Sequence, residues 1–198
     1  MRINEIFYSI QGEGRYAGTP AVFVRFAGCN LRCSFCDTEF DSYTEMSEDD
    51  IVSEVLRYPT SHIILTGGEP TLQLTTSFLT KLHGHQRLVH IETNGTHPLP
   101  EGPIHWVTCS PKGSFLSSNG SLQVAKLNIQ RIDELKVVYQ GQDMAQYDHI
   151  QAQVFSLQPC DTGDSVRNHE ILQQTIDYIL QHPRWSLSLQ THKIIDVK

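Results

Sequence analysis

The chain alternates short apolar runs with amphipathic stretches. Residues 20–27, PAVFVRFA, alternate apolar and polar positions and predict a strand. Residues 46–58, MSEDDIVSEVLRY, predict a helix. Ser47 can cap it, acidic residues fill its first turn, and Ile51, Val52, Val55 and Leu56 form one apolar face. HIILTGGEP at 62–70 is a continuous apolar run ending in glycines, as expected of a strand buried on both faces. A helix is then expected over 72–83, with strands from 88 (LVHIETNG) and from 104 (IHWVTCSPK). ELKVVYQ at 134–140 and QVFSLQP at 153–159 predict two more strands, with a short helix between them near 143–150. The amphipathic stretch 168–183 predicts a helix stopped before Pro183, and WSLSLQTHK at 185–193 predicts a closing strand. Residues 113–131 show no clear period and read as a mobile loop.

Strands alternating with helices predict an α/β fold with a parallel sheet. Eight full strand–helix units need about 250 residues. The 198 residues here allow a partial (β/α) barrel of about six parallel strands, with an N-terminal strand extension, in one domain spanning 1–198. Polar residues gather just after the apolar runs: Thr66 to Glu69, Glu92 to Gly95, Ser110 to Lys112, Gln158 with Pro159, and Thr191 to Lys193. In parallel α/β folds that end of the sheet carries the site.

Composition narrows the function classes. Hydrophobic residues make up 39% and charged residues 19%, which suits a globular chain. The net charge of -7, without a basic run, argues against a nucleic-acid partner. No apolar stretch reaches the ~18 residues of a membrane span, and MRINEIFYSI does not read as a signal peptide. Five cysteines, three of them crowded together, do not form a disulfide framework, so a cytoplasmic location is expected.

Those three are Cys29, Cys33 and Cys36 in GCNLRCSFCDT, spaced C-x3-C-x2-C. Spacing i, i+4, i+7 fits one helix face of buried thiols, but Gly28, Asn30 and Asp37 argue for a loop. Structural zinc normally takes four protein ligands, and Cys109 or Cys160 would have to supply the fourth. A [4Fe–4S] cluster on three thiolates leaves one iron open for a substrate or cofactor.

With GGEP about 30 residues further on, the cysteine spacing resembles the radical S-adenosylmethionine (SAM) superfamily. That resemblance implies SAM chelated to the open iron, one-electron cleavage of its sulfonium, and hydrogen abstraction by a 5′-deoxyadenosyl radical. Gly67 and Gly68 allow close backbone approach to SAM, and Glu69 can accept from its ammonium. The whole chain resembles the 7-carboxy-7-deazaguanine synthase family. The likeness is carried by EIFYSIQGEG, AVFVRFAGCNLRC, FCDT, TGGEP, IETNG, SPK, ELKVV, QPC and LQTHK. It implies a lyase that rearranges 6-carboxy-5,6,7,8-tetrahydropterin to 7-carboxy-7-deazaguanine with loss of ammonia, in the queuosine precursor pathway. It further implies re-use of SAM, a bound Mg²⁺, a homodimer and a flavodoxin-type reductant.

Site residues follow from the same resemblance. Ile10, Gln11, Gly12, Glu13, Arg25, Thr66, His192 and Lys198 are expected at the pterin. Gln11 offers a donor and an acceptor, Glu13 accepts from guanidine-like amino groups, and Arg25 clamps the carboxylate. Phe35, Cys36, Asp37, Gly68, Glu69, Ser110, Pro111, Lys112, Gln158, Pro159, Cys160 and Asp161 are expected at SAM, and Thr38 at Mg²⁺. Two positions depart from the family pattern: Lys198 stands where a terminal proline is common, and Cys160 where methionine is usual. Two rival readings are a glycyl-radical-enzyme activase and a non-catalytic zinc or iron–sulfur binding module.

Overall fold

The computed structural model describes residues 1–36, 38–39, 41–116, 119–129 and 131–198, with Leu116 described in its backbone only. β1 (Arg2–Ile10) leads through a single 3-10 turn at Gly14–Tyr16 into β2 (Pro20–Phe26), and the two strands pair antiparallel. β3 (Thr44–Glu45) adds antiparallel to the outer side of β1. α1 (Glu48–Val55) starts at Ser47, whose hydroxyl accepts from the amide of Asp50, while the Asp50 carboxylate accepts from the Ser47 amide. This reciprocal cap satisfies two of the donors a helix start leaves open.

β4 (His62–Gly67), α2 (Thr76–Gly84), β5 (Leu88–Thr93) and β6 (Trp106–Cys109) follow. β7 (Gly113–Leu116) and β8 (Leu122–Ala125) form a separate two-stranded hairpin where a loop without structure was expected. β9 (Glu134–Tyr139), β10 (Val154–Pro159), α3 (Ser165–Gln181), β11 (Trp185–Leu187) and α4 (Thr191–Ile194) complete the chain. The expected short helix near 143–150 is a 3-10 turn, Met144–Tyr147.

The strand order is β11-β10-β9-β6-β5-β4-β2-β1-β3, an open sheet. The seven strands from β11 to β2 are parallel, one more than about six, and the N-terminal extension is the antiparallel β1. One face is apolar. Val22, Val24, Phe26, Ile63, Leu65, Val89 and Ile91 pack under α1 and α2, and Leu135, Val137 and Leu157 pack with Tyr178 and Ile179 of α3. Strand side chains alternate, so the other face receives the intervening residues.

The expected strand over 185–193 stops at Leu187. Beyond it the Ser188 amide bonds to Leu157, and Thr191 donates both its amide and its hydroxyl to the carbonyl of Gly12. That anchoring turns the chain into α4, so a contact with a distant loop overrides the local alternation.

Candidate active site

The intervening strand residues make a polar floor. Arg25 stands beside Thr66, Glu92 beside Thr108, and Thr108 beside Glu134. On the last pair of strands Ser156 stands beside Lys136, with Gln158 two positions on. The segment Gln11–Tyr16 crosses this floor and is held by it. Glu134, 1% exposed, accepts from the Arg15 amide at 3.0 Å, the Thr108 hydroxyl at 3.1 Å and the Ser156 hydroxyl at 2.5 Å. The Gly14 amide donates to Ser188, and Gln11 donates through Nε2 to Glu92 at 2.9 Å.

Lys136 reaches up from the floor into the same segment. Its ammonium is 2.5 Å from Glu13 Oε2 and 3.7 Å from Glu92 Oε1. Gln158 and Gln190 donate to the other oxygen of Glu13. Burial alone would raise the Glu13 carboxyl, but Lys136 outweighs it and holds the group at about 2. Burial alone would lower Lys136, and Glu13 with Glu92 reverses that and raises it.

Two cavities adjoin above this floor. The first is lined by Cys29, Cys33, Cys36, Phe35, Gly68, Ser110, Lys112, Gln158, Pro159, Cys160 and Asp161. The second is lined by Ile10, Gln11, Gly12, Arg25, His192 and Lys198. Glu13, Thr38, Thr66, Glu92 and Gln190 line both and form the partition. Nine of the twelve expected SAM residues line the first chamber, and six of the eight expected substrate residues line only the second, with Glu13 and Thr66 on the partition. Pro111 instead lines a groove beside Phe35 and Lys112. Asp37 lies outside the described residues.

The cysteine loop is fastened to the TGGEP turn. Gly68 and Glu69 donate their amides to the carbonyls of Phe26 and Gly28, each at 2.9 Å. A Cβ on Gly67, where φ is +114°, would lie 2.3 Å from the Phe26 oxygen. The glycines therefore answer first to close packing of chain on chain. Glu69 is fully buried and does not line either chamber. Its Oε1 accepts from the Thr71 amide and hydroxyl and the Thr93 hydroxyl, and Oε2 accepts from the Asn94 amide at 2.7 Å. Oε2 keeps one acceptor position for a further donor.

The thiols suit a cluster. Among the described residues no three His, Cys, Asp or Glu side chains converge tightly enough for a single metal ion. Cys29, Cys33 and Cys36 all line the first chamber, three thiols where structural zinc takes four protein ligands. Cys29 Sγ accepts from the Leu31 amide at 3.4 Å and faces Asn94 Nδ2 at 3.8 Å, the kind of N–H···S contact that tunes an iron–sulfur centre. Burial raises the thiols of Cys29 and Cys33, the latter to about 11, so metal loading must release protons. Cys109, buried in β6, is pushed up to about 12 by burial and lies off both chambers.

In the second chamber Arg25 Nε bonds to Glu5 Oε1 at 2.9 Å and lies over the Phe7 ring. Its two terminal nitrogens have no partner among the described residues. The Lys198 ammonium takes the other oxygen of Glu5 and sits 5.0 Å from the centre of the same ring. His192 packs against Gly12, where a Cβ would fall 2.0 Å from its Nδ1. Sequence reasoning did not single out Glu5, Glu134, Lys136, Ser188 or Gln190, and it named Glu92 and Asn94 only as part of the polar cluster at the end of β5. For Glu134 and Lys136 a signal was present: both are charged at alternate positions of an otherwise apolar strand, E-L-K-V-V.

Residues 23–111 match the family described as the Radical SAM superfamily. A protein named 7-carboxy-7-deazaguanine synthase from Bacteroides thetaiotaomicron is 51% identical over 197 residues, covering 100% of this chain and 98% of that protein. Its namesake from Bordetella pertussis is 37% identical, covering 98% of each chain. The crystal structure of QueE from Escherichia coli superposes with a TM-score of 0.77 at 27% identity, covering 95% of this chain and 92% of that one.

Proposed function

The chain belongs to the 7-carboxy-7-deazaguanine synthase family, and from that premise we propose that it converts 6-carboxy-5,6,7,8-tetrahydropterin to 7-carboxy-7-deazaguanine with loss of ammonia. The observation that carries the reading is the pair of adjoining chambers. One has three thiols and the other an end carrying Arg25, His192 and Lys198, and they share a five-residue partition. A [4Fe–4S] cluster and SAM, held in the first chamber, would supply the radical chemistry that removes a hydrogen atom from the substrate.

The chain's own residues bind and orient. Cys29, Cys33 and Cys36 hold the cluster. Phe35, Gly68, Ser110, Lys112, Gln158, Pro159, Cys160 and Asp161 surround SAM, and Glu69, buried behind them, ties the TGGEP turn to Thr71, Thr93 and Asn94. In the second chamber Arg25 grips the substrate carboxylate with its terminal nitrogens, and Lys198 stands beside it. Glu13, Gln11 and the Gly12 backbone meet the pterin edge, with His192 and Thr66 alongside. Thr38, on the partition, offers a hard hydroxyl oxygen that fits Mg²⁺, whose other positions would be filled by water and substrate oxygens. The open sheet is read as a partial (β/α) barrel with the polar floor as its interior.

The same reading makes the protein a cytoplasmic homodimer reduced by a flavodoxin-type donor. Among the described residues no helix is long and apolar enough to cross a membrane. The test is anaerobic turnover with the authentic pterin, SAM, dithionite and Mg²⁺. Carboxydeazaguanine and ammonia should form in equal amounts. Cluster-loaded protein that cleaves SAM yet leaves the pterin untouched would refute the assignment.

A further inference from the structure

Lys136 is a buried cation placed between carboxylates that reach it from different parts of the fold. Glu13 arrives from the crossing segment, Glu92 from β5, and Glu134 from its own strand. The donors on the first two can be accounted for atom by atom. Glu13 Oε2 takes Lys136, and Oε1 takes Gln158 at 3.1 Å and Gln190 at 2.9 Å. Glu92 Oε1 takes Gln11 at 2.9 Å with Lys136 behind it, and Oε2 takes the Thr66 hydroxyl at 3.0 Å. A carboxylate accepts about four hydrogen bonds. Each therefore keeps one acceptor position on the partition between the chambers, and both depend on one ammonium for charge balance.

We propose that Lys136 is a positioning residue that holds Glu13 and Glu92 as a fixed pair of anionic acceptors facing the donor edge of the bound pterin. The role rests on the pterin reading above and adds a residue to it. Lys136, 5% exposed, lies beneath both carboxylates and need not touch the substrate. Without its charge, Glu13 is a desolvated carboxylate with only neutral donors, and such groups take up a proton near neutrality. A protonated Glu13 donates one of the positions from which it should accept. His192 also faces Glu13, Glu92 and Glu134 lie across Lys136 from it, and all three remain in every variant below.

The test measures pterin binding to cluster-loaded enzyme without SAM, so that no turnover occurs, by titration calorimetry at pH 8 and pH 6. Lys136→Met should weaken binding tenfold or more at pH 8 and lose further affinity at pH 6, beyond any loss in wild type. Lys136→Arg should return the wild-type pH response. The double variant Lys136→Met/Glu13→Gln should bind weakly at both pH values without the extra pH dependence, since the titrating group is gone. Iron content should stay at wild-type levels throughout. Wild-type affinity and pH response in Lys136→Met, or equal pH responses in the single and double variants, would overturn the proposal. If Lys136→Met does not fold, wild-type affinity in the double variant, which removes both charges together, overturns it instead. Wild-type enzyme that binds no pterin would sink the functional reading itself. Wild-type turnover with an unmoved Lys136→Met sinks only this inference.

Discussion

The carbonyl oxygen of Gly28 lies 2.0 Å from the point where Gly68 would carry a Cβ, and the amide of Glu69 donates to that same oxygen. The cysteine loop and the TGGEP turn are therefore one packed unit. Gly68→Ala must push backbone against backbone, and overpacking of this kind costs about 1–3 kcal/mol. A lower melting temperature and a lower iron content after reconstitution are expected. Gly84→Ala, in open space at the end of α2, should lower neither.

The cysteines divide by location. Cys33→Ala should abolish retention of iron, because its thiol lines the first chamber beside Cys29 and Cys36. Cys109→Ala should keep the full iron content and lose only packing in β6. Iron analysis and the visible absorbance of the two proteins, prepared side by side, decide the matter. Full cluster loading of Cys33→Ala would contradict the ligand assignment.

Arg25 is engaged by Glu5 through one nitrogen only. Hydrogen bonds to charged groups contribute about 1.5–3 kcal/mol. Arg25→Ala should therefore raise KM for the pterin by roughly tenfold to a hundredfold, with little effect on SAM affinity. The reverse pattern in steady-state kinetics would move Arg25 to the cofactor side.

Thr38 lines both chambers. Thr38→Ala should blunt the response of turnover to added Mg²⁺ while the iron content stays normal, and Thr38→Ser should restore the response. An unaltered Mg²⁺ titration in the alanine variant would remove the residue from the metal site.

At the opposite end of the polar floor, His90 and His62 face each other ring nitrogen to ring nitrogen at 2.9 Å, beneath Tyr16. Burial, with His62 and His105 nearby, lowers His90 to about 3. The folded state thus binds this proton less readily than the unfolded state. Its contribution is intact above the ordinary histidine pKa near 6.5 and is lost as pH falls from there toward the folded value. The slope from His90 alone is about 1.4 kcal/mol per pH unit. Glu13, held at about 2, adds no loss until pH falls below the ordinary carboxylate value. Denaturant melts at pH 7.5 and 5.5 should show wild type losing more stability than His90→Asn. Parallel losses would remove His90 as the cause.

Several features were legible in the sequence because their causes are local. The α1 cap needs only Ser47 and Asp50 three residues apart, and the helix forms there. The cysteine spacing and the TGGEP turn likewise place their chemistry on short loops after strands. The alternation in β9 carried the polar-face signal of Glu134 and Lys136, although nothing nearby in the chain identifies their partners.

Those partners were decided by tertiary structure. Lys136 meets Glu13 across 123 positions of chain, and Gln190 meets the same carboxylate across 177. Glu92 reaches them only because β6 lies between β5 and β9 in the sheet. Residue spacing along one segment determines caps, periods and ligand loops, since neighbours in sequence are neighbours in space. Which buried charges share a proton environment depends on strand order and on the path of a crossing segment, and these are settled when the whole sheet assembles.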